Sequence, residues 1–383
     1  MAVISGRVRS AIDPRLGRST QAFDADGNRT VLVDPNNNQT SLSFDKAGRL
    51  TGITPAIGGG TDYVYNSRNL LSQVTNGRDQ VTDLQYDDAG RLSGFTDPVG
   101  TVSYSYDPNG NLLTAGDGAG AVSREYDKLN RITKYTDSQG NIIEYGYDQV
   151  GNLTSLIYPG GKQVSYEYDN ANRLITVTDW AYRVTAYEYD ANDRLVKTIR
   201  PNGTVLNQSY DSAGRLTQQK DIDQIGSIIS QYDFTYDKAG NVATETNAIG
   251  EQPFTLSSPE MTYSQGNRLA AFDGQNTVYD ADGNMTTGPL QGNMATYSYD
   301  ARNRLTAAGN LNYLYDAENN RIGVNETVYG QVYTTLYVVN PNSYLSQVLI
   351  KTDNDGNKTY YVYGLGLVGQ EDPDGTYHTY SPD

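Results

Sequence analysis

The feature that most constrains this chain is a period. An aromatic residue opens a recurring unit at Phe23, Phe44, Tyr65, Tyr86, Tyr106, Tyr126, Tyr147, Tyr168, Tyr189 and Tyr210, spaced by 20 or 21 residues. The spacing then loosens to 26, 27, 16, 20 and 16 residues, at Tyr236, Tyr263, Tyr279, Tyr299 and Tyr315. A fixed period of this length marks a repeat architecture in which each unit is one supersecondary element. The next residue is Asp except at Asn66 and Ser264, which suits an Asx-turn. Four residues after the aromatic stands Gly (as Gly90 and Gly214), Asn (as Asn172) or, once, Asp193. Only these types enter the left-handed region readily, so the spacing predicts a positive φ at that position in every unit. Two residues further on comes an aliphatic such as Leu50, Leu92, Leu174 or Leu216, with Arg29 and Arg321 as departures, and a strand is expected to start there.

The rest of the unit reads as a turn and a returning strand. Asp97-Pro-Val-Gly100 precedes Thr101-Val-Ser-Tyr-Ser-Tyr106, and Tyr166/Tyr168 and Tyr187/Tyr189 alternate with Glu167 and Glu188 at the period of a strand. Each unit is therefore two short antiparallel strands, and fifteen units amount to about thirty strands; no window carries a helical apolar stripe. Apolar residues are only 37% of the chain, while Tyr supplies 33 of its residues. Aliphatic layers are thus expected to give way to ladders of Tyr in register between hairpins. Strand twist accumulates, so a sheet this long cannot stay flat. The fold class expected is all-β: tandem β-hairpins in one continuous, spiralling antiparallel sheet over residues 13–320, closing towards a tube or shell.

Composition removes several functions. A formal net charge of −16 disfavours nucleic acid and anionic membranes as partners, which need a basic footprint. With no Cys and a single His, His378, thiolate chemistry, disulfides and multi-imidazole metal sites are excluded. No apolar run reaches the roughly 20 residues of a membrane-spanning helix, and Met1-Ala-Val-Ile-Ser does not make the basic and apolar regions of an export signal.

Tyr86-Asp-Asp-Ala-Gly-Arg-Leu92 with Asp97-Pro-Val-Gly100, Tyr168-Asp-Asn-Ala-Asn-Arg-Leu174 and Tyr210-Asp-Ser-Ala-Gly-Arg-Leu216 closely resemble the YD-repeat, or RHS-repeat, family. The repeat motif residues are accordingly Tyr86, Asp87, Gly90, Arg91 and Leu92, Tyr168, Asp169, Asn172, Arg173 and Leu174, and Tyr210, Asp211, Gly214, Arg215 and Leu216. Tyr360-Tyr-Val-Tyr-Gly-Leu-Gly-Leu-Val-Gly-Gln-Glu371 is similar to the opening of the RHS-associated core segment of bacterial members. The resemblance divides the chain into residues 1–320, the repeat sheet, and 321–383, continuing strands and the start of a core-like segment. It implies a hollow β-shell, secreted or delivered by a secretion system, that encloses a C-terminal toxic polypeptide; animal teneurins use a similar shell for adhesion. The sequence reaches Ser381-Pro-Asp383 without the family's later autoproteolytic aspartates or a candidate toxin, so neither is carried over to any residue.

Other motifs have plainer readings. Gly364-Leu-Gly-Leu-Val-Gly369 fits a dinucleotide pattern, but Pro373 and Gly375 oppose the helix such a site needs, and a strand-turn junction is expected. Asp24-Ala-Asp-Gly-Asn28, Asp280-Ala-Asp-Gly-Asn284 and Asp353-Asn-Asp-Gly-Asn357 start like Ca²⁺ loops without the downstream Glu. Gly58-Gly-Gly60 lacks a following Lys and reads as a turn, sequons such as Asn202-Gly-Thr follow from turn Asn meeting strand Thr, and Trp180 is either a cap on neighbouring turns or a ligand-stacking platform. No cofactor, metal site or catalytic residue is expected, because the carboxylates recur as turn residues and form no unique pair. Two functions from different classes follow: a non-enzymatic shell segment around a polypeptide cargo, or an extracellular glycan-binding or adhesive module that stacks carbohydrate on exposed Tyr.

Overall fold

In a computed structural model, the aromatic of each unit ends one strand and the residue six positions later starts the next. Gln163–Tyr168 leads to Leu174–Thr178, Val184–Tyr189 to Leu195–Ile199, and Val205–Tyr210 to Leu216–Ile222. The two departures obey as well, since Arg29–Val33 and Arg321–Val328 are strands. The structure describes residues 2–4, 7–12, 17–247 and 259–380, so the expected beginning of the repeats at residues 13–16 and the end at Ser381-Pro-Asp383 lie outside the described residues.

The positive φ is present in all fifteen units, for example 83° at Gly90, 60° at Asn172, 64° at Asp193 and 81° at Gly214. It reverses the chain so tightly that the turn closes on itself. Asp169 N–H donates to the Arg173 carbonyl at 3.0 Å and Asn172 N–H donates to the Asp169 carbonyl at 3.0 Å. One residue of register is lost beside the turn: Tyr168 pairs with Leu174 but Glu167 pairs with Thr176, a bulge that recurs at Tyr126, Tyr147 and Tyr189. Bulges strengthen local twist, so the curvature of the sheet is built into every copy.

The chain forms two compact units, one from Met1–Ala121 with Ser257–Tyr333 and the other from Val122–Leu256 with Thr334–Asp383. These are units of packing, whereas the division at residue 320 follows the sequence pattern. In the first, antiparallel strands succeed one another from Ala2–Ile4 to Leu112–Asp117. There the single sheet expected over 13–320 is interrupted: Met261–Tyr263, Leu269–Phe272 and Gln275–Asn276 form a separate three-stranded sheet before a new series begins at Val278–Tyr279. A 3₁₀ turn, Gln265–Asn267, is the one helical element among the described residues.

The second unit runs from Ile132–Thr136 to Val242–Asn247 and adds Gln347–Thr352, Lys358–Tyr363, Leu367–Glu371 and Tyr377–Thr379. Its core alternates along the strands: Ile143 and Tyr145, Val164 and Tyr166, and Leu156 and Val177 are buried. The all-β tandem-hairpin class is as expected, with more strands than thirty because the hairpins continue through 321–380.

Candidate functional site: the Tyr-Asp-Arg turn array

The structure gives each letter of the motif a contact. The Asp87 carboxylate accepts the Arg91 N–H at 2.8 Å through Oδ1 and the Arg91 Nε–H at 2.7 Å through Oδ2, so one side chain closes both the turn and its ion pair. Asp169 does the same with Arg173, and Asp211 with Arg215. The hydrogen bond from the Arg91 backbone holds the Asp87 carboxyl below its ordinary range, and the Arg173 and Arg215 hydrogen bonds do so for Asp169 and Asp211.

The Arg then reaches the next unit. The Arg91 guanidinium lies 4.7 Å from the Tyr106 ring centroid and donates to the Asp107 carbonyl at 3.0 Å. Arg131 covers Tyr147, Arg173 covers Tyr189, Arg194 covers Tyr210 and Arg215 covers Tyr236, all within 4.8 Å. The covered ring turns its hydroxyl backwards: Tyr106 donates to the Leu92 carbonyl at 2.8 Å, Tyr189 to Leu174 at 2.8 Å and Tyr210 to Leu195 at 2.8 Å. Tyr, Asp and Arg thus form a clasp that links each hairpin to its neighbour by cation–π, ion-pair and carbonyl contacts. Where Asn replaces Arg, as at Asn111 and Asn152, its amide still donates to the Asp carboxylate, at 2.7 and 2.8 Å.

All three motif copies named from the sequence occupy such turns. Sequence reasoning placed Arg91, Arg173 and Arg215 in the motif but assigned the Arg no contact. It also missed copies beyond residue 320. Asp353 accepts the Asn357 N–H and amide at 2.9 and 3.0 Å, and the Tyr363 hydroxyl donates to the Val348 carbonyl at 3.0 Å, which continues the same design.

Several turns at the other strand ends are anchored at long range. In the first unit Arg302 Nε donates to Asp97 at 2.6 Å, with both side chains buried, and Arg78 bonds Asp282 at 2.6 Å. Gly59 N–H donates to the Ala281 carbonyl at 2.6 Å, and a Cβ on Gly59 would collide with the Gly77 backbone, so Gly58-Gly-Gly60 serves close backbone packing. In the second unit Glu371 receives Lys162 Nζ at 2.7 Å, Arg183 at 2.5 Å and Trp180 Nε1 at 3.0 Å. Trp180 sits edge-on to Tyr158 and Tyr360 at 5.6 Å each, the capping alternative of the two expected from sequence. Buried Tyr158 donates to the Tyr361 carbonyl at 2.7 Å, and Tyr145 to Asn340 Oδ1 at 2.7 Å.

The remaining motifs resolve locally. Gly364 N–H bonds the Gly366 carbonyl at 2.8 Å and strand Leu367–Glu371 follows, so no helix opens at these glycines. A Cβ on Gly364 would meet the Tyr187 hydroxyl and one on Gly369 the Tyr377 ring, which explains two of the glycines by packing. His378 Nε2 lies 2.9 Å from Asp372 Oδ2 at the surface. Asp24, Asp280 and Asp353 spend their carboxylates on turn amides, and no cluster of three or more metal-ligating residues exists among the described residues. No described helix is long and apolar enough to cross a membrane.

A chain of tandem antiparallel hairpins clasped in this way is a repeat protein of structural type. Residues 86–122, 126–163, 147–184 and 189–225 match the RHS Repeat family, so this stretch of the chain is built of RHS repeats. No curated protein matches the chain in sequence. In fold it is similar to a crystal structure of TcdB2-TccC3, at a TM-score of 0.69 and 13% identity, over 94% of this chain and 26% of that one. A crystal structure of TcdB2-TccC3-Cdc42 matches with a TM-score of 0.58 and 13% identity, over 94% and 23%. The Tc holotoxin pore of Photorhabdus luminescens, carrying a TccC3 mutation, matches with a TM-score of 0.52 and 14% identity, over 94% and 25%. The chain therefore spans about a quarter of the length of the structures it matches.

Proposed function

We propose that this chain is a non-enzymatic segment of an RHS shell that encloses a polypeptide cargo, and that the protein bearing it is secreted or delivered by a secretion system. The observation that carries this reading is the use made of the repeat tyrosines. Their rings lie under Arg and their hydroxyls are spent on carbonyls of the preceding hairpin, so they hold wall to wall. A glycan-binding surface would need the same rings open to stack on sugars, and the covered faces disfavour that alternative. The likeness in fold to structures containing TccC3 supports the container reading. On the same reading, residues 1–320 are the repeat wall, and Tyr360–Glu371 opens the core-like segment that seals onto it through Glu371.

Stacked near-identical units offer few asymmetric constellations of the kind catalysis requires. The chain therefore contributes enclosure, and chemistry belongs to the cargo. The test is protease protection in the full-length protein. A C-terminal polypeptide made with the shell should survive digestion that destroys it when free, and equal digestion with the shell intact would defeat the reading. Binding of the purified chain to a glycan array would instead move the carbohydrate reading ahead.

A further inference from the structure

Three consecutive turns of the second unit depart from the repeat, and all three bond the same stretch of chain. At the first position of this kind of turn, Asp34, Asp97, Asp137 and Asp223 spend a carboxylate on amides of their own turn. After strands Leu153–Ile157 and Leu195–Ile199 that position is Tyr158 and Arg200, neither of which carries a carboxylate, and in the turn between them Asp179 is followed by Trp180. The Tyr158 hydroxyl donates to the Tyr361 carbonyl at 2.7 Å, Arg200 to the Tyr380 carbonyl at 3.0 Å, and Asn202 Nδ2 to Thr379 Oγ1 at 2.8 Å. Lys162, Trp180 and Arg183 converge on Glu371. In each of these contacts the turn supplies the donor and a residue between 361 and 380 the acceptor.

Lys358–Tyr363 pairs with Leu367–Glu371, which pairs with Tyr377–Thr379, and these strands belong to a different sheet from the strands that flank the three turns. Side chains therefore hold this segment to the wall. Apolar burial between the sheets is non-directional, so the polar contacts fix its register. At their centre is a closed charge balance. Lys162 and Arg183 bring two positive charges, Glu371 brings one negative charge, and Asp179, 2.7 Å from Arg183 Nε, brings the other. The Trp180 and Tyr360 ring centroids lie 4.4 and 4.6 Å from Lys162 Nζ, and that of Tyr377 lies 3.8 Å from the Arg183 guanidinium, so aromatic rings cover both cations. Burial alone would raise the Glu371 carboxyl, but the Lys162 and Arg183 hydrogen bonds hold it below its ordinary range. Removing one charge from such a set leaves another uncompensated under that cover, which costs more than the lost contact itself.

We propose that residues 358–380 are a strap that opens from the wall as one unit, and that the charge balance of Lys162, Glu371, Arg183 and Asp179 is its lock. Short strands released from the wall are marginal by themselves, so their ladder opens when the strap does. The proposal concerns contacts within this chain, and a failure of cargo protection would leave it standing. Hydrogen exchange read by mass spectrometry on the intact chain tests it. Glu371→Gln leaves one cation in excess and should speed exchange in Leu367–Glu371 and Tyr377–Thr379 by at least about tenfold, with Gln163–Tyr168 and Val184–Tyr189 unchanged. Fluorescence of Trp180, the one Trp of the chain, should move to the red as the indole meets water. Adding Lys162→Met removes the excess cation and keeps an unbranched stem against Trp180 and Tyr360. The double variant should therefore exchange more slowly than Glu371→Gln alone, whereas a strap held by its hydrogen bonds without regard to charge would be loosened further. The proposal is overturned if Glu371→Gln leaves the strap at the wild-type rate or accelerates strap and wall together. It is also overturned if the double variant exchanges as fast as the single one or faster. Should Glu371→Gln not fold, exchange of the wild-type chain in rising, sub-denaturing urea decides: strap strands opening before the wall support the proposal, and a shared opening overturns it.

Discussion

The two kinds of turn in this chain are built from the same residues and stabilised in opposite ways. At the Tyr-Asp turns the Asp carboxylate spends itself on residues within four positions, and the Arg reaches only the adjoining unit. At the other strand ends, Asp97 looks like the same Asx-turn, yet its partner is Arg302, about two hundred residues away in sequence. Asp179 bonds Arg183 locally, and Arg183 then carries the contact on to Glu371. One end is a local device copied many times; the other repeats that device at Asp34 and Asp137 but at Asp97 and Arg183 also holds distant chain segments together. Redundancy makes the first robust to a single loss, whereas each contact of the second stands alone.

Alkaline titration should have the largest effect, because it reaches buried tyrosines that both kinds of turn depend on. Burial raises the pKa of Tyr187, Tyr363 and Tyr377, each to about 12 from 10.0. A folded-state value above the unfolded one contributes stability that is fully present below pH 10 and is lost as pH rises through about 12. Unfolding should therefore accompany a late step in the tyrosinate absorbance between these values; complete ionisation with unchanged circular dichroism would contradict it. Next in size, Arg302→Ala strands the buried Asp97 carboxylate and should destabilise by about 3–5 kcal/mol, read from the urea midpoint.

The clasped end should yield less. Gly214→Val forces a β-branched residue to φ 81° with no atom near its Cβ, so its cost of about 1–3 kcal/mol is conformational alone. Gly214→Asn, matching Asn172 in another copy, should be mild, and equal melting temperatures for Val and Asn would remove the left-handed turn from the account. Acid acts here too. The carboxyls of Asp87, Asp169 and Asp211 are lowered in the fold, so their contribution is present above the ordinary Asp range and disappears as pH falls through the depressed values. Hydrogen exchange at the Arg91, Arg173 and Arg215 amides should accelerate there before the core does. The smallest effect is expected for Arg131→Lys, which keeps the charge over Tyr147 but loses the planar fork to Asp127 and the Asp148 carbonyl. Its melting temperature should fall by less than that of Gly214→Val.

Much of the clasped end was legible before any coordinates. Strand starts at Leu92, Leu174 and Leu216 and the positive φ at Gly90, Asn172 and Gly214 follow from residue types at fixed offsets. Backbone sterics act within a few residues, so local sequence is sufficient to specify them. The interrupted sheet after residue 260 announced itself only as loosened spacing, because the pairing of short strands depends on neighbours as well as on the strands themselves.

What the sequence alone determined is the unit: an antiparallel hairpin with an Asx-turn, a left-handed residue and a Tyr at a fixed place in the strand, repeated. Only the tertiary structure decided what the Arg does, which glycines yield to a crossing backbone, and that Trp180 is enclosed by Tyr158 and Tyr360. The reason is range. A turn is closed by atoms within four residues of one another, whereas Asp97 meets Arg302, and Trp180 meets Glu371, only after the intervening hairpins have folded.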